Sequence, residues 1–419
     1  MDCNLDLKLK NGLRLYHVQD PTTKALRISL RGLAGASVEN ESQIGIAHFV
    51  EHMAFNGSTK YPTQAELQEL ITYIGGKSNA STGRESVKYW ANGLSLYKEQ
   101  IFEYLAELSV KAEYRQKDVN KEKKVIEQEI QGHLDSASGK QQDIINKALW
   151  PNQRAGIDVA GYIEHIESIT LEKLEDFRNT YYTAQNFALQ VTGDITKAEA
   201  LDLAEKYFGH IPSGTTKIQI PIVTTNKDKQ IIVENRQHLK QASISIVYPL
   251  AGYNDEYSHI DMVMNAILGQ SPMCRLFQTL REKHNLAYSG GSSTGRYNSY
   301  GALYADAEVA EQNINVALDL MKKEFETLMN ELAEDKELER VKNRIITLEA
   351  FEQESPSSIA TFAASIYLQD LKIKSTEEFV QKVLAVTKEQ VQESAIRIFS
   401  QNPKIVIMTP TWTQEQIEF

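Results

Sequence analysis

His48-Phe49-Val50-Glu51-His52 is the stretch on which the reading of this chain turns. On a helix, residues four apart share a face, and the residue three places on lies beside them. Both imidazoles would therefore look the same way, with the Glu51 carboxylate next to them. Two neutral imidazoles on one face can hold a zinc ion, and a neighbouring carboxylate can take a proton from water held there. The order is HxxEH, the reverse of the HExxH arrangement.

Two histidines do not complete such a site. A third ligand has to come from another element, because one helix face cannot surround an ion. The run from Asn120 to Ile130 supplies the candidate. Glu122 and Glu129 are two helical turns apart and share a face. Val125 and Ile126 lie between them and turn that side inward, where a carboxylate needs a partner. Glu127 is expected to point into solvent. His17, His133, His165, His210, His238, His259 and His284 show no ligand spacing and are expected at the surface.

The bulk composition frames this reading. A chain of 419 residues is long enough for two or three domains at roughly 100–200 residues each. With 42% hydrophobic and 24% charged residues it reads as a well-cored globular protein. No run approaches the ~18 apolar residues of a membrane-spanning helix, so no membrane partner is expected. Met1-Asp2-Cys3-Asn4 has neither a basic nor an apolar leader region, which favours the cytoplasm, with the periplasm open if a signal has been removed. Cys3 and Cys274 are the only cysteines, too few for a disulfide framework or a paired thiolate metal site. A formal net charge of −11 argues against nucleic acid as a partner.

The chain also echoes itself at a separation of about 217 residues. A helix from Thr170 followed by the strand Asn186 to Gly193 is matched by a helix from Thr387, with a capping box to Gln390, followed by the strand Pro403 to Pro410. Near the starts, the alternating run Leu26 to Gly35 resembles Ala242 to Gly252. Further helices are expected at 43–57, 63–74, 95–111, 115–133, 138–149 and 196–207, then 255–269, 271–284, 311–329, 333–352, 356–370 and 375–385. The predicted fold class is therefore α+β: two duplicated domains, each a mostly antiparallel sheet with helices packed on one face. The expected division is 1–212, a linker 213–228 marked by Pro212-Ser213-Gly214-Thr215-Thr216, and 229–419. With the starts aligned, Met264, Ile267 and Leu268 fall opposite His48, Glu51 and His52, so only the first copy would carry ligands. The glycine-rich run Gly290 to Gly295 lacks the Gly-Lys-Ser/Thr ending of a phosphate loop and reads as a strand connection or hinge.

These motifs resemble, along essentially the whole chain, the pitrilysin/insulinase superfamily of zinc peptidases (inverzincins), in particular the short two-domain type. The run Gly45 to Gly57 resembles the family helix as a whole. Glu129 stands 77 positions after His52, as the family's glutamate ligand does at long range, although Gln128 replaces the first of its usual glutamate pair. Gly75-Gly76-Lys77-Ser78-Asn79-Ala80-Ser81-Thr82, then Glu85 and Tyr89, resembles the segment that follows. Ser271 to Tyr288, with Arg281 and Tyr288 seven apart, resembles the family's Arg/Tyr segment.

The resemblance implies one Zn²⁺ per chain, held by His48, His52 and Glu129, with Glu122 supporting the site and Glu51 as general base. It implies an edge strand at Asn79, Ala80 and Ser81 to which peptide substrates add by main-chain hydrogen bonds. Tyr288 would serve as oxyanion donor and Arg281 would position the substrate. The expected function is a zinc-dependent endopeptidase acting on unfolded peptides in an enclosed chamber; the net charge of −11 reads first as a soluble acidic surface, with an acidic chamber that prefers basic peptides as the sharper alternative. Because Arg281 and Tyr288 lie in the second copy, the expected assembly is a homodimer in which the partner subunit's Arg281 and Tyr288 complete each site. The alternatives are a non-catalytic or substrate-binding subunit of a heterodimeric peptidase, and a fragment of a longer four-domain peptidase.

Overall fold

The computed structural model describes residues 1–215 and 217–419, and Thr216, inside the expected linker, lies outside them. The chain forms two compact units. The first comprises Met1–Gly132, Asp158–Pro221 and Phe351–Leu371, and the second His133–Ile157, Ile222–Ala350 and Lys372–Phe419.

The first unit is built on six strands: β1 (Asp2–Lys8), β2 (Arg14–Gln19), β3 (Ala25–Gly32), β4 (Lys77–Thr82), β5 (Val87–Leu94) and β6 (Phe187–Gly193). They run in the order β1-β2-β6-β3-β5-β4. Only β2 and β6 pair in parallel. The alternation in β3 explains its placement: Leu26, Ile28 and Leu30 are fully buried on one face. Three helices of this unit are α1 (Ile46–Ala54), α2 (Gln64–Thr72) and α3 (Lys98–Ser109). Of these, α3 lies on β3 and β5, α1 lies beside β4, and α2 packs on α3. Thr63 and Glu66 start α2 with a reciprocal capping box.

The second unit repeats this plan with β7 (Gln230–Asn235), β8 (Ala242–Leu250), β9 (Ala287–Arg296), β10 (Gly301–Val309) and β11 (Lys404–Thr409). Their order, β7-β11-β8-β10-β9, is that of the first sheet without β1, and again only one pair, β7 with β11, is parallel. The counterpart of α1, Ser258–Gly269, is a core helix here: Met264, Ile267 and Leu268 pack into the hydrophobic cluster under β8. The expected hinge at Gly290 to Gly295 is instead part of β9. Gly291 on this strand allows a close approach to that helix, since a Cβ there would lie 2.8 Å from the Gly269 carbonyl oxygen.

The α+β duplication stands, with one addition. Each sheet carries a further helix on its second face, and that helix comes from the other half of the sequence. On the first sheet it is Pro356–Leu368, whose Ala360, Ala364 and Leu368 meet Tyr16, Val18 and Ala188. On the second it belongs to the segment after α4 (Gln116–Asp135): α5 (Ala137–Leu149) sets Ile145 and Leu149, with Trp150, against Val247, Ala302 and Val406. The compact units therefore differ from the expected contiguous spans 1–212 and 229–419. The physical reason is that both faces of each sheet present apolar side chains that have to be covered, whichever half supplies the cover. The expected linker is also tied down. The Ile218 N–H donates to Asn186 Oδ1 at 2.9 Å in the first unit, and the Val223 N–H donates to Ser299 Oγ at 3.0 Å in the second. Among the described residues no helix is long and apolar enough to cross a membrane.

Candidate metal centre

The helix α1 is set by its N-terminus. Gly45 precedes it at φ +86°, and a Cβ there would lie 2.5 Å from the Ala160 carbonyl oxygen, so only glycine fits. The buried Glu39 carboxylate accepts from the N–H groups of Gly45 and Ala47, both at 2.9 Å, satisfying donors that a helix start leaves open. Ile46, Phe49, Val50 and Met53 are buried and fix the rotation of the helix. His48, Glu51 and His52 are thereby turned to one side.

The glutamates come from α4, where Val119, Glu122, Ile126 and Ile130 face inward. Val125 does not share that face as expected; it is 36% exposed, while Ile126 is fully buried. A helix turns 100° per residue, so these two neighbours cannot both point inward. His52 Nε2 lies 3.3 Å from Glu129 Oε2, and His48 Nε2 lies 3.8 Å from the same oxygen. The two rings sit 4.6 Å apart between centroids and nearly perpendicular. His48, His52 and Glu129 each offer one ligand atom, all within 4.8 Å of one another. Zn–N and Zn–O bonds of about 2.0–2.2 Å in a tetrahedron need ligand atoms roughly 3.3–3.6 Å apart, which this set meets with small adjustments.

The electrostatics suit a cation. Burial, helped by the neighbouring His52, pushes the His48 imidazole down to about 4, so it is neutral and free to ligate. Burial also pulls His52 down, but the Glu122 hydrogen bond and the charges of Glu129, Glu122 and Glu51 outweigh it and leave His52 above the usual histidine value. That hydrogen bond, His52 Nδ1 to Glu122 Oε2 at 3.1 Å, presents Nε2 to Glu129. Burial would raise Glu122, but the hydrogen bonds from His52, Asn56 and Lys121 hold it below the usual carboxylate range. The Lys121 ammonium stands 3.2 Å from its other oxygen. Glu51 is shifted up by burial, only partly offset by a short hydrogen bond donated by the Thr82 hydroxyl.

Thr82 ends β4, the free edge of the first sheet. In the middle of that strand the Ala80 N–H donates to Asn79 Oδ1 at 2.9 Å, so it is not used in the ladder with β5 and points to the open edge. Asn79 and Ser81 are exposed and the Ala80 side chain is buried. Arg281 and Tyr288 belong to the second unit and are brought together there. The Arg281 guanidinium lies 5.0 Å from the Tyr288 ring centroid and donates to the Tyr288 carbonyl at 3.1 Å. Arg281 sits on a π-helical turn, Gln278–Lys283, and Tyr288 is 76% exposed.

Sequence reasoning gave no role to Glu39, because a carboxylate six residues before a helix N-cap carries no pattern of its own, and it quoted Thr82 within the Gly75–Thr82 segment without pairing its hydroxyl with Glu51. It also misplaced His17, which is fully buried and bonded through Nε2 to the Ile195 carbonyl at 3.0 Å. His17 lies on an inner strand, where both faces are covered.

Fold and site together define a two-sheet α+β chain with a three-ligand candidate metal centre on its first unit. Comparison with known proteins agrees. Residues 14–161 match the insulinase family, Peptidase family M16, and residues 168–345 match the Peptidase M16 inactive domain. A zinc protease of Rickettsia bellii is 27% identical over 96% of this chain and 97% of its own. The mitochondrial-processing peptidase subunit beta of Saccharomyces cerevisiae is 24% identical over 92% of this chain and 86% of its own. The crystal structure of a peptidase M16 inactive domain from Pseudomonas fluorescens superimposes with a TM-score of 0.87 at 18% identity, covering 99% of this chain and 100% of that one. The chain belongs to the pitrilysin/insulinase superfamily of peptidases.

Proposed function

We propose that the protein is a zinc-dependent endopeptidase acting on unfolded peptides. The observation that carries this is the convergence of His48 Nε2, His52 Nε2 and Glu129 Oε2 from two helices, with the Glu51 carboxylate on the same helix face. These three residues would hold Zn²⁺, which when bound supplies Lewis acidity and makes a neighbouring water acidic. Glu51 is the group that accepts the proton of the attacking water and hands it to the leaving amine. Its upward shift suits both halves of that task, and the Thr82 hydroxyl keeps its carboxylate aimed. A peptide adding to β4 meets the open edge at Ala80, where it replaces Asn79 Oδ1 as acceptor of the Ala80 N–H.

Arg281 and Tyr288 are assigned to the substrate carbonyl and the developing oxyanion, with the exposed Tyr288 hydroxyl free to donate. The assembly proposed is a homodimer in which each zinc is served by the partner subunit's Arg281 and Tyr288, around a chamber that admits unfolded chains. The heterodimeric reading draws on the relatives named as subunits of a mitochondrial processing peptidase. Hydrolysis of an unstructured peptide by the wild-type chain, abolished by a chelator and by Glu51→Gln with zinc content retained, is the expected result. Absence of chelator-sensitive cleavage overturns the enzyme reading. Mixing Glu51→Gln with Tyr288→Phe chains separates the assemblies: recovered activity is expected for sites completed by a partner copy, and none overturns that arrangement.

A further inference from the structure

A cavity of about 220 Å³ opens on the face of the first sheet that carries Pro356–Leu368. Its floor is formed by β3, β5 and β6, where Ser29 faces Trp90 on one side and Gln190 on the other. Its lining is one-sided in charge. The chain as a whole carries a net charge of −11, yet Arg27 and Lys88 line the cavity and, among the described residues, no carboxylate does. Lys88 stands directly across the ladder from Arg31, a like-charge pairing that costs stability unless something offsets it. Burial, and then the charge of Arg31, pull the Lys88 ammonium below its usual value.

Gln190 adds the second observation. It is 4% exposed, and its Oε1 accepts from Ser29 Oγ at 3.0 Å and from Thr361 Oγ1 at 3.1 Å. Its carbonyl is thereby saturated, while the amide Nε2 is buried without a partner beneath the cavity floor and closed to a water-sized group. An unpaired buried donor is expensive to keep. Two cations and the hydroxyl side chains of Ser29, Thr192, Ser357 and Thr361, around a space free of acidic groups among the described residues, form a donor-rich cradle. We propose that this cavity binds a small oxyanion, a phosphate or a carboxylate, between Lys88 and Arg27. A water needs only about 10–15 Å³ of such space, so the cavity has room for inorganic phosphate, with its five heavy atoms, or a four-carbon dicarboxylate, with its eight.

The test is isothermal titration of the zinc-loaded 419-residue chain at low ionic strength, with inorganic phosphate and with succinate in separate runs. Saturable binding of at least one of them, one per chain, is expected. Lys88→Gln and Arg27→Gln should each weaken it by about tenfold or more, the loss of one charge-assisted contact. Lys24→Gln, an exposed lysine outside the lining, should leave it unchanged. Lys88→Gln should also raise the melting temperature in anion-free buffer and abolish the further rise that the bound anion gives the wild type. The exposed Arg27 supplies the second variant should Lys88→Gln fail to fold. No saturable binding of either anion overturns the proposal, as does binding that survives both substitutions, which would place the anion elsewhere, the metal centre included.

Discussion

Replacing Glu122 by glutamine tests how the candidate metal centre is held. The side chain is nearly fully buried, accepts from His52 Nδ1 at 3.1 Å and sits beside Lys121, but it does not reach the cluster formed by His48, His52 and Glu129. Glutamine keeps the shape and can still accept from Nδ1–H, but without the negative charge. Loss of such an outer carboxylate typically costs 10–100-fold in metal affinity, or about 1.4–2.7 kcal/mol. Glu129→Gln removes a ligand atom outright and should cost more. Zinc affinity, measured by competition with a chromogenic chelator at pH 7.5, should rank wild type above Glu122→Gln above Glu129→Gln. The sign of the pH dependence is also set. Glu122 helps to hold His52 above its usual value, so in the wild type protons compete with zinc as pH falls toward 6. Glu122→Gln relieves that competition, and the gap between the two proteins should narrow on acidification. Equal affinity at pH 7.5, a loss as large as that of Glu129→Gln, or a gap that widens at low pH would refute the reasoning.

Three further outcomes follow from the same geometry. Thr82→Val deletes the hydroxyl donated to Glu51 and leaves only His52 and the backbone N–H of residue 82 to oppose its burial; the acid limb of the kcat/KM profile should move to higher pH while zinc content stays the same. Gly45→Ala forces a Cβ against the Ala160 carbonyl at positive φ and should destabilise the first unit by at least about 1–2 kcal/mol in urea melts, with a loss below about 0.5 kcal/mol counting against the stated role of Gly45. Ala364→Leu overpacks the helix that covers Tyr16, Val18 and Ala188 and should cost about 1–3 kcal/mol by thermal unfolding, whereas an exposed surface helix would tolerate it.

The legible parts of this molecule are those where one local rule suffices. Eleven of the twelve helices expected outside the echoed ends appear close to their spans, because amphipathic periodicity and caps such as Thr63 and Thr196 act within a few residues, whereas 271–284 is a short helix, Arg275–Phe277, continued by the π-helical Gln278–Lys283. The two helices of the candidate centre could be named for the same reason: spacing along a helix fixes which residues share a face. What stayed hidden depends on distant partners. Nothing local to Ala360 and Ala364 says that they cover β2 and β6 rather than their own half's sheet, and nothing local to Ile145 and Leu149 says the reverse. Likewise His17 reads as a polar residue in a strand, and only the presence of neighbours on both faces makes it a buried one.

The duplication shows what the candidate centre costs the fold. Both copies place a helix against the same side of the same strand order, and in the second the equivalent face is filled by Met264, Ile267 and Leu268, all essentially inaccessible. A chain optimised only for stability would use the first copy in that way too. Instead it buries two imidazoles and a carboxylate there, and the cost is visible in His48, driven down to about 4, and in Glu51, driven up. Each shift means that the charged form is disfavoured in the folded state. A cation held by His48, His52 and Glu129, as proposed, would offset that cost. A ligand bound only by the folded state stabilises it by about 2.7 kcal/mol at one hundred times its dissociation constant. The first unit should therefore gain thermal stability from zinc and lose it to a chelator. The second, whose equivalent helix is wholly apolar at those positions, should be indifferent, and hydrogen exchange resolved along the chain can read the two responses separately. Protection gained around Ser258–Gly269 but not around α1 would contradict the placement of the metal on the first copy.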